Sequence, residues 1–261
     1  MSAAANRSVT NRASGLVVPL VLIVVGEAAF RAGYLQGDVL AAPSRIFLAF
    51  IAALRDGTLL AATKDTMITT FGGLALGGLI GLALGVMLGS FARLDRLLAV
   101  PIEIARPIPS VALVPIAMVV AGFGYSMEIA IVGFAAAWPV LITTRSAIAE
   151  IEPRLIEVAR VLRLGWIATI FKILLPASLP RIFVGFRLAA GIALIVSVTV
   201  EIAANPIGLG HAIMMAQQSL QPALMLAMLV WIGVVGFAMN GVLIFLQQRL
   251  FGRAALAGDP P

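Results

Sequence analysis

Long runs of apolar residues, interrupted only by short charged clusters, constrain this chain more than any other feature. Six stand out: Gly15 to Phe30, Thr66 to Ser90, Pro107 to Phe123, Met127 to Ile148, Arg181 to Ala204 and Pro222 to Leu246. A helix needs about 20 such residues to cross a hydrocarbon core of about 30 Å. With 61% hydrophobic and 11% charged residues in 261 positions, no water-facing surface can be built around a core of this size. In lipid each backbone N–H and C=O must be paired within its own segment, so continuous runs predict helices, whereas barrel strands would alternate over short segments. The sequence therefore predicts an all-α membrane protein with about six transmembrane helices.

The net charge of +6 does not point to nucleic acid, because the basic residues, 16 of them arginine, border the apolar runs. With the N-terminus inside, fourteen of the 18 fall on the inner side, among them Arg7, Arg12, Arg93, Arg96, Arg145 and Arg253. Arg31, Arg45, Arg55 and Lys64 remain outside, and this asymmetry predicts two cytoplasmic termini. The chain divides on this reading into residues 1–65 (tail, first span and an outer amphipathic helix over Pro43 to Leu60), a core of residues 66–251, and a short tail of residues 252–261 expected to be disordered. The end of the first run, Glu27-Ala28-Ala29-Phe30-Arg31, lacks a small-x-small cleavage site, so the run is expected to stay as a span.

Several chemistries are excluded or left without support. There is no cysteine and a single histidine, His211, expected in a solvated outer loop after a Gly208-Leu209-Gly210 turn; no metal site and no catalytic residue is assigned. A phosphate-cradling loop needs Gly-Lys followed by Ser or Thr, but Lys64 and Lys172 follow Thr and Phe, so the chain binds no nucleotide cofactor of its own. Glycine recurs every fourth residue at Gly73, Gly77, Gly81, Gly85 and Gly89, a groove that suits close helix packing. Pro107, Pro109 and Pro115 are expected to bend the third span. Glu128 and Glu201 are read as interface-level residues, and Glu27 falls near the middle of span one without an evident partner. Ser197, Thr199, Glu201 and Asn205 on span five are the candidates for lining a solute pathway.

Between spans four and five lie residues 150–180, too many for a simple connection. Pro153 suits a first helical turn, and the following residues keep helical periodicity. Leu155, Val158, Ala159 and Leu162 form an apolar face; Arg154, Glu157, Arg160 and Arg163 form a charged one. Gly165 is expected to end this helix, and Trp166 to Leu175 to form a second before Pro176 and Pro180.

Glu157-Val158-Ala159 followed by Ile173-Leu174-Leu175-Pro176 resembles the EAA signature of ABC importer permeases, Glu-Ala-Ala, three residues, Gly, nine residues, Ile-x-Leu-Pro. Ile173, Leu175 and Pro176 fall in place; Arg163 stands where the pattern has glycine, with Gly165 two residues later. Arg106-Pro107-Ile108-Pro109-Ser110 through Pro115, Gly122-Phe123-Gly124, Val200-Glu201 and Ile207-Gly208-Leu209-Gly210 are similar to stretches of the nitrate, sulfonate and taurine branch. The resemblance implies a type I importer fold in a bacterial inner membrane and a second permease subunit, expected to be an identical copy. It also implies separate ABC ATPase subunits carrying ATP and Mg, and a soluble or lipid-anchored substrate-binding protein. On it, Glu157 and Arg160 make polar contacts with the ATPase while Leu155, Ala159 and Leu162 fill its groove, and the solute is a sulfonate, taurine, nitrate or similar small anion. The alternative, an ion-gradient-driven secondary transporter, would need coupling carboxylates that the three scattered glutamates do not suggest.

Overall fold

The computed structural model describes residues 2–34 and 40–252, and of residues 2–16 the backbone only. The expected C-terminal tail, with Arg253, and the side chain of Arg7 lie outside the described residues. Helices α1 (Ser2–Arg31), α2 (Pro43–Arg55), α3 (Thr58–Ser90), α4 (Ala92–Ala105), α5 (Val114–Ala121), α6 (Tyr125–Ala149), α7 (Pro153–Val161), α8 (Trp166–Thr169), α9 (Leu175–Ala203), α10 (Gly208–Gln218) and α11 (Pro222–Phe251) follow in order. There is no strand among the described residues. Contacts divide the chain into two units. Residues 1–61 with 212–231 form one, and residues 62–211 with 232–261 the other, so 212–231 group with the N-terminal segment instead of the core.

Among the described residues four helical runs are long and apolar enough to cross a membrane: α3, α6, the run that begins at Trp166, and α11. Among the described residues a fifth crossing is found as a bent pair. The span expected over Pro107 to Phe123, bent by its prolines, is not a single helix with those bounds. Instead α4 and the segment Ser110–Ala121 meet at 84°. Pro107 and Pro109 supply no N–H at the corner, and α5, at eight residues, covers only about 12 Å. Pro115 sits in the first turn of α5, where its missing donor costs nothing, so it does not bend the helix as expected.

In the N-terminal unit, α2 stops at Arg55 and not at Leu60, because Gly57 at φ +80° breaks the helix before α3 restarts. The Asp56 carboxylate accepts hydrogen bonds from Thr58 N (2.9 Å) and Thr58 Oγ1 (2.7 Å), capping α3. Those two bonds, the hydroxyl first, hold Asp56 below the usual carboxylate range. Glu27 is not mid-helix: it lies one turn before the end of α1, accepting bonds from Ser44 N and Oγ (both 3.0 Å) and from Arg31 Nε (3.0 Å). Its charge faces the start of α2, where free N–H groups favour an anion.

The core of the larger unit is the α6–α9 pair with α3 pressed against α6. An added Cβ at Gly77 would stand 2.1 Å from Gly133 O, at Gly81 2.4 Å from Ala137 O, and at Gly85 2.6 Å from Thr144 Cβ. The glycine stripe is thus the surface on which α6 lies, as its spacing predicts. Met127, Ile131, Val132, Ala193 and Val200 close the core between α6 and α9. Paired groups link the other end: Arg145 bonds Asp95 (Nη2 to Oδ2, 2.8 Å), and Arg181 bonds Glu150 (2.6 Å).

Candidate functional site

Two regions of the larger unit carry chemistry. The first is the connection between α6 and α9. Pro153 opens α7 in its first turn, as expected, but the helix ends at Val161, capped by Leu162 and before Gly165. Arg163 takes φ +48°, and its N–H bonds Arg160 O (3.0 Å) while Leu164 N bonds Ala159 O (3.0 Å). This is the Schellman arrangement, whose left-handed residue is usually glycine. Arg163, at the position where the signature has glycine, thus makes the left-handed turn itself, and Gly165 instead precedes α8 in extended conformation.

The second short helix does not stop at Leu175. After α8 the backbone widens into a π-helical segment, Ile170–Leu174, and continues as α9 through Pro176 and Pro180. Pro176 falls directly after this widened turn and does not break the helix. Ile170 and Leu174 are buried with Ile148 against Val86 and Ile151, and Trp166 stacks on Phe91 with ring centroids 5.1 Å apart. Of the signature residues, Ile173 and Leu175 are half-buried and Pro176 is exposed.

The expected apolar face of α7 divides in two. Ala159 is 4% exposed and Leu155 half-buried, so both pack on their own chain and Ala159 is not free to fill a partner's groove. Val158, Leu162 and, beyond expectation, Val161 are exposed, Val161 at 82%. Glu157, Arg154, Arg160 and Arg163 are exposed as well. A nine-residue helix thus presents apolar and charged side chains together while its inner face is clamped to the bundle.

The second region is a buried polar cluster. Glu128, read from the sequence as interface-level, is fully buried at the start of α6; Glu201, read likewise, is 1% exposed near the end of α9. Ser197 Oγ donates to Glu128 Oε1 (2.7 Å) and Asn205 Nδ2 to Glu128 Oε2. Thr69 Oγ1 lies 2.8 Å from Ser197 Oγ, Leu209 N donates to Thr66 Oγ1 (2.8 Å), and Gly210 N donates to Glu201 Oε2 (2.7 Å). Asn205 also accepts from Gly124 N (2.9 Å). Glycine at 208 and 210 is required by contact: a Cβ at Gly208 would stand 2.0 Å from Glu201 Oε1, and one at Gly210 2.3 Å from Val198 O. Gly208 to Gly210 is therefore the first turn of α10 and not a loop, which places His211 half-buried on a helix.

Three of the four residues expected to line a pathway are in this cluster. Ser197, Glu201 and Asn205 are 0–1% exposed within one copy of the chain, so they do not face a path in this conformation. Thr199 points the other way, exposed and bonded to Ile195 O (2.6 Å). Sequence reasoning missed Thr66, Thr69 and Glu128. The i, i+3 threonine pair was the only local signal, and its partner Ser197 is 128 residues distant from Thr69.

The larger unit is a bundle of membrane-length helices with a short amphipathic helix exposed on it. Its sequence places it in a defined family: the chain belongs to the binding-protein-dependent transport system inner membrane components, matching over residues 77–255. It is 31% identical over 236 residues, 90% of this chain and 86% of the relative, to a putative aliphatic sulfonates transport permease protein SsuC of Bacillus subtilis. It is 32% identical to the bicarbonate transport system permease protein CmpB of Synechocystis, over 68% of this chain and 64% of that protein. Its fold matches a chain of the MetNI methionine ABC transporter in an inward-facing conformation with a TM-score of 0.66, at 23% identity, covering 73% of this chain and 95% of that one. This is the type I importer fold that the resemblance implied.

Proposed function

We propose that this permease forms part of the path of an ATP-driven importer for a small anion, and that α7 is the element through which a separate ATPase moves it. The exposed surface of α7 carries the reading. Val158, Val161 and Leu162 form an apolar patch among Glu157, Arg154 and Arg160 on a segment whose connecting residues carry charge and which does not itself span. Ala159 and Leu155 beneath it, with Ile170, Leu174 and the Trp166–Phe91 stack, tie the segment to α6 and α9. A rigid attachment of this kind passes a push on α7 into the bundle as a whole-body movement.

The relatives named for sulfonates and bicarbonate support a small oxyanion as solute. In this reading the subunit pairs with a second permease, a separate binding protein supplies the solute, and ATP and Mg act on the ATPase. The inner position of both termini and of α7 is part of the same proposal, supported by the basic asymmetry. The test is Glu157→Lys. Reversing a charge in a docking surface is expected to cost several kcal/mol of binding, so ATPase co-purification and transport-coupled ATP hydrolysis should fall, while membrane abundance stays normal. Full retention of the ATPase with coupled hydrolysis would reject α7 as the docking element.

A further inference from the structure

The Glu128–Glu201 cluster presents a charge problem that the transport reading does not use. Both carboxyl groups are buried, at 0 and 1% exposure, and lie within hydrogen-bonding reach of one another. No basic side chain bonds to either among the described residues. The titratable groups that flank the cluster on its four elements are engaged elsewhere or bond to neither: Tyr125 Oη donates to Asp65 Oδ1 (2.6 Å), and Lys64 and His211 make no bond to the pair. Two ionised carboxylates without a cation in such a place would be prohibitively costly.

The hydrogen bonds indicate how the cost is avoided. Glu128 accepts from Ser197 and Asn205, which suits a carboxylate. Glu201 Oε2 accepts from Gly210 N, but Glu201 Oε1 is buried without a donor. A buried acceptor left bare is rare in folded proteins. If Oε1 carries a hydrogen, it becomes a donor and Glu128 its acceptor, so every oxygen of the pair is then used. Like carboxylates at this range commonly share a single proton for the same reason.

We propose that Glu128 and Glu201 form a proton-binding site: Glu201 is held as the acid, its O–H donating to the Glu128 carboxylate, and the pair carries one negative charge. The proton completes a lock that joins α3 (Thr66, Thr69), α6 (Glu128), α9 (Ser197, Glu201), the following turn (Asn205) and the first turn of α10 (Gly210). The proposal is independent of the solute and of the ATPase.

Infrared spectroscopy of the full-length protein in lipid reads the proton directly, through the C=O stretch of a protonated carboxyl and its shift in deuterium oxide. At about pH 8 an ordinary glutamic acid, with a pKa of about 4.3, is ionised and gives no such band. The wild type is expected to show the band at this pH; its absence overturns the proposal without any variant, as would the replacement of the band by a requirement for a bound cation. Glu201→Gln, which keeps the shape and supplies an N–H donor in place of the O–H, is expected to abolish it, and a band unchanged in this variant refutes the assignment. Glu128→Gln should keep the band but shift it, since the acid then donates to an amide. An unshifted band there would mean that the proton is not shared with Glu128.

Discussion

The glycine stripe of α3 permits a quantitative test of how this bundle is held together. Gly77→Ala adds one methyl group at a place where its Cβ would lie 2.1 Å from Gly133 O, 2.9 Å from Ala137 N and 2.9 Å from Gly133 C. These are backbone atoms of α6 and cannot rotate away, so α3 must retreat along with the contacts at Gly73 and Gly81. Overfilling a packed interface costs about 1–3 kcal/mol, occasionally more. Against this, alanine is favoured over glycine in a helix by about 1 kcal/mol. Gly191→Ala on α9 is the control, because its Cβ meets nothing within 4 Å and only the propensity gain applies. The clash should prevail at Gly77, with a net loss of up to about 2 kcal/mol, while Gly191→Ala gains up to about 1 kcal/mol. At about 2–4 °C per kcal/mol for a chain of this size, the two variants should melt several degrees apart, on opposite sides of the wild type. Tryptophan fluorescence of the purified protein during heating measures this. If Gly77→Ala melts with or above Gly191→Ala, then α3 does not press on α6 through its glycines and the packing argument fails.

Further outcomes follow from the termini and turns. Arg163→Gly removes a left-handed residue that costs about 1–2 kcal/mol, partly offset by the freedom glycine gains when the turn opens; amide exchange at Arg163 and Leu164 should slow, and unchanged or faster exchange would contradict the Schellman turn. Asp56 has a depressed pKa, so its cap on α3 is fully present above the ordinary aspartate value and is lost as pH falls through the lower folded value; protection of the Thr58 amide should fall in that acid window, and Asp56→Asn should remove the pH dependence. Since the native chain has no cysteine, single cysteines at Arg7, Arg253, Asp56 and Glu157 can be labelled with an impermeant reagent. Only position 56 should react from outside, and labelling of 253 from outside would reverse the topology.

Much of the fold was legible because lipid imposes long continuous apolar segments and pairs each backbone group within its own helix. The runs at Thr66 to Ser90, Met127 to Ile148, Arg181 to Ala204 and Pro222 to Leu246 correspond to α3, α6, α9 and α11, although α3 starts earlier at Thr58, α9 starts earlier at Leu175 and α11 ends later at Phe251. The third run was expected to bend, and does, but proline composition signals a bend and not its angle or where it falls. That angle, 84°, depends on what α4 and α5 pack against.

Local spacing also revealed the groove of α3 and the two-helix signature after α6, since both depend on residues a few positions apart. What it could not reveal were pairings between distant residues. Thr69 meets Ser197, Glu128 meets Asn205, and Glu27 meets Ser44 only when helices are brought together. For that reason Glu128 and Glu201 read as interface residues by position, yet the tertiary structure buries them. The same holds on α7, where periodicity grouped Ala159 with Val158, but packing turned the first inward and left the second exposed. Sequence by itself determined the solvent, the helices and the family, because these are set by hydrophobicity and short-range pattern. Tertiary structure alone decided which polar groups share a buried site and which face of α7 remains free, because contact between helices depends on their relative rotation and depth, which no local pattern encodes.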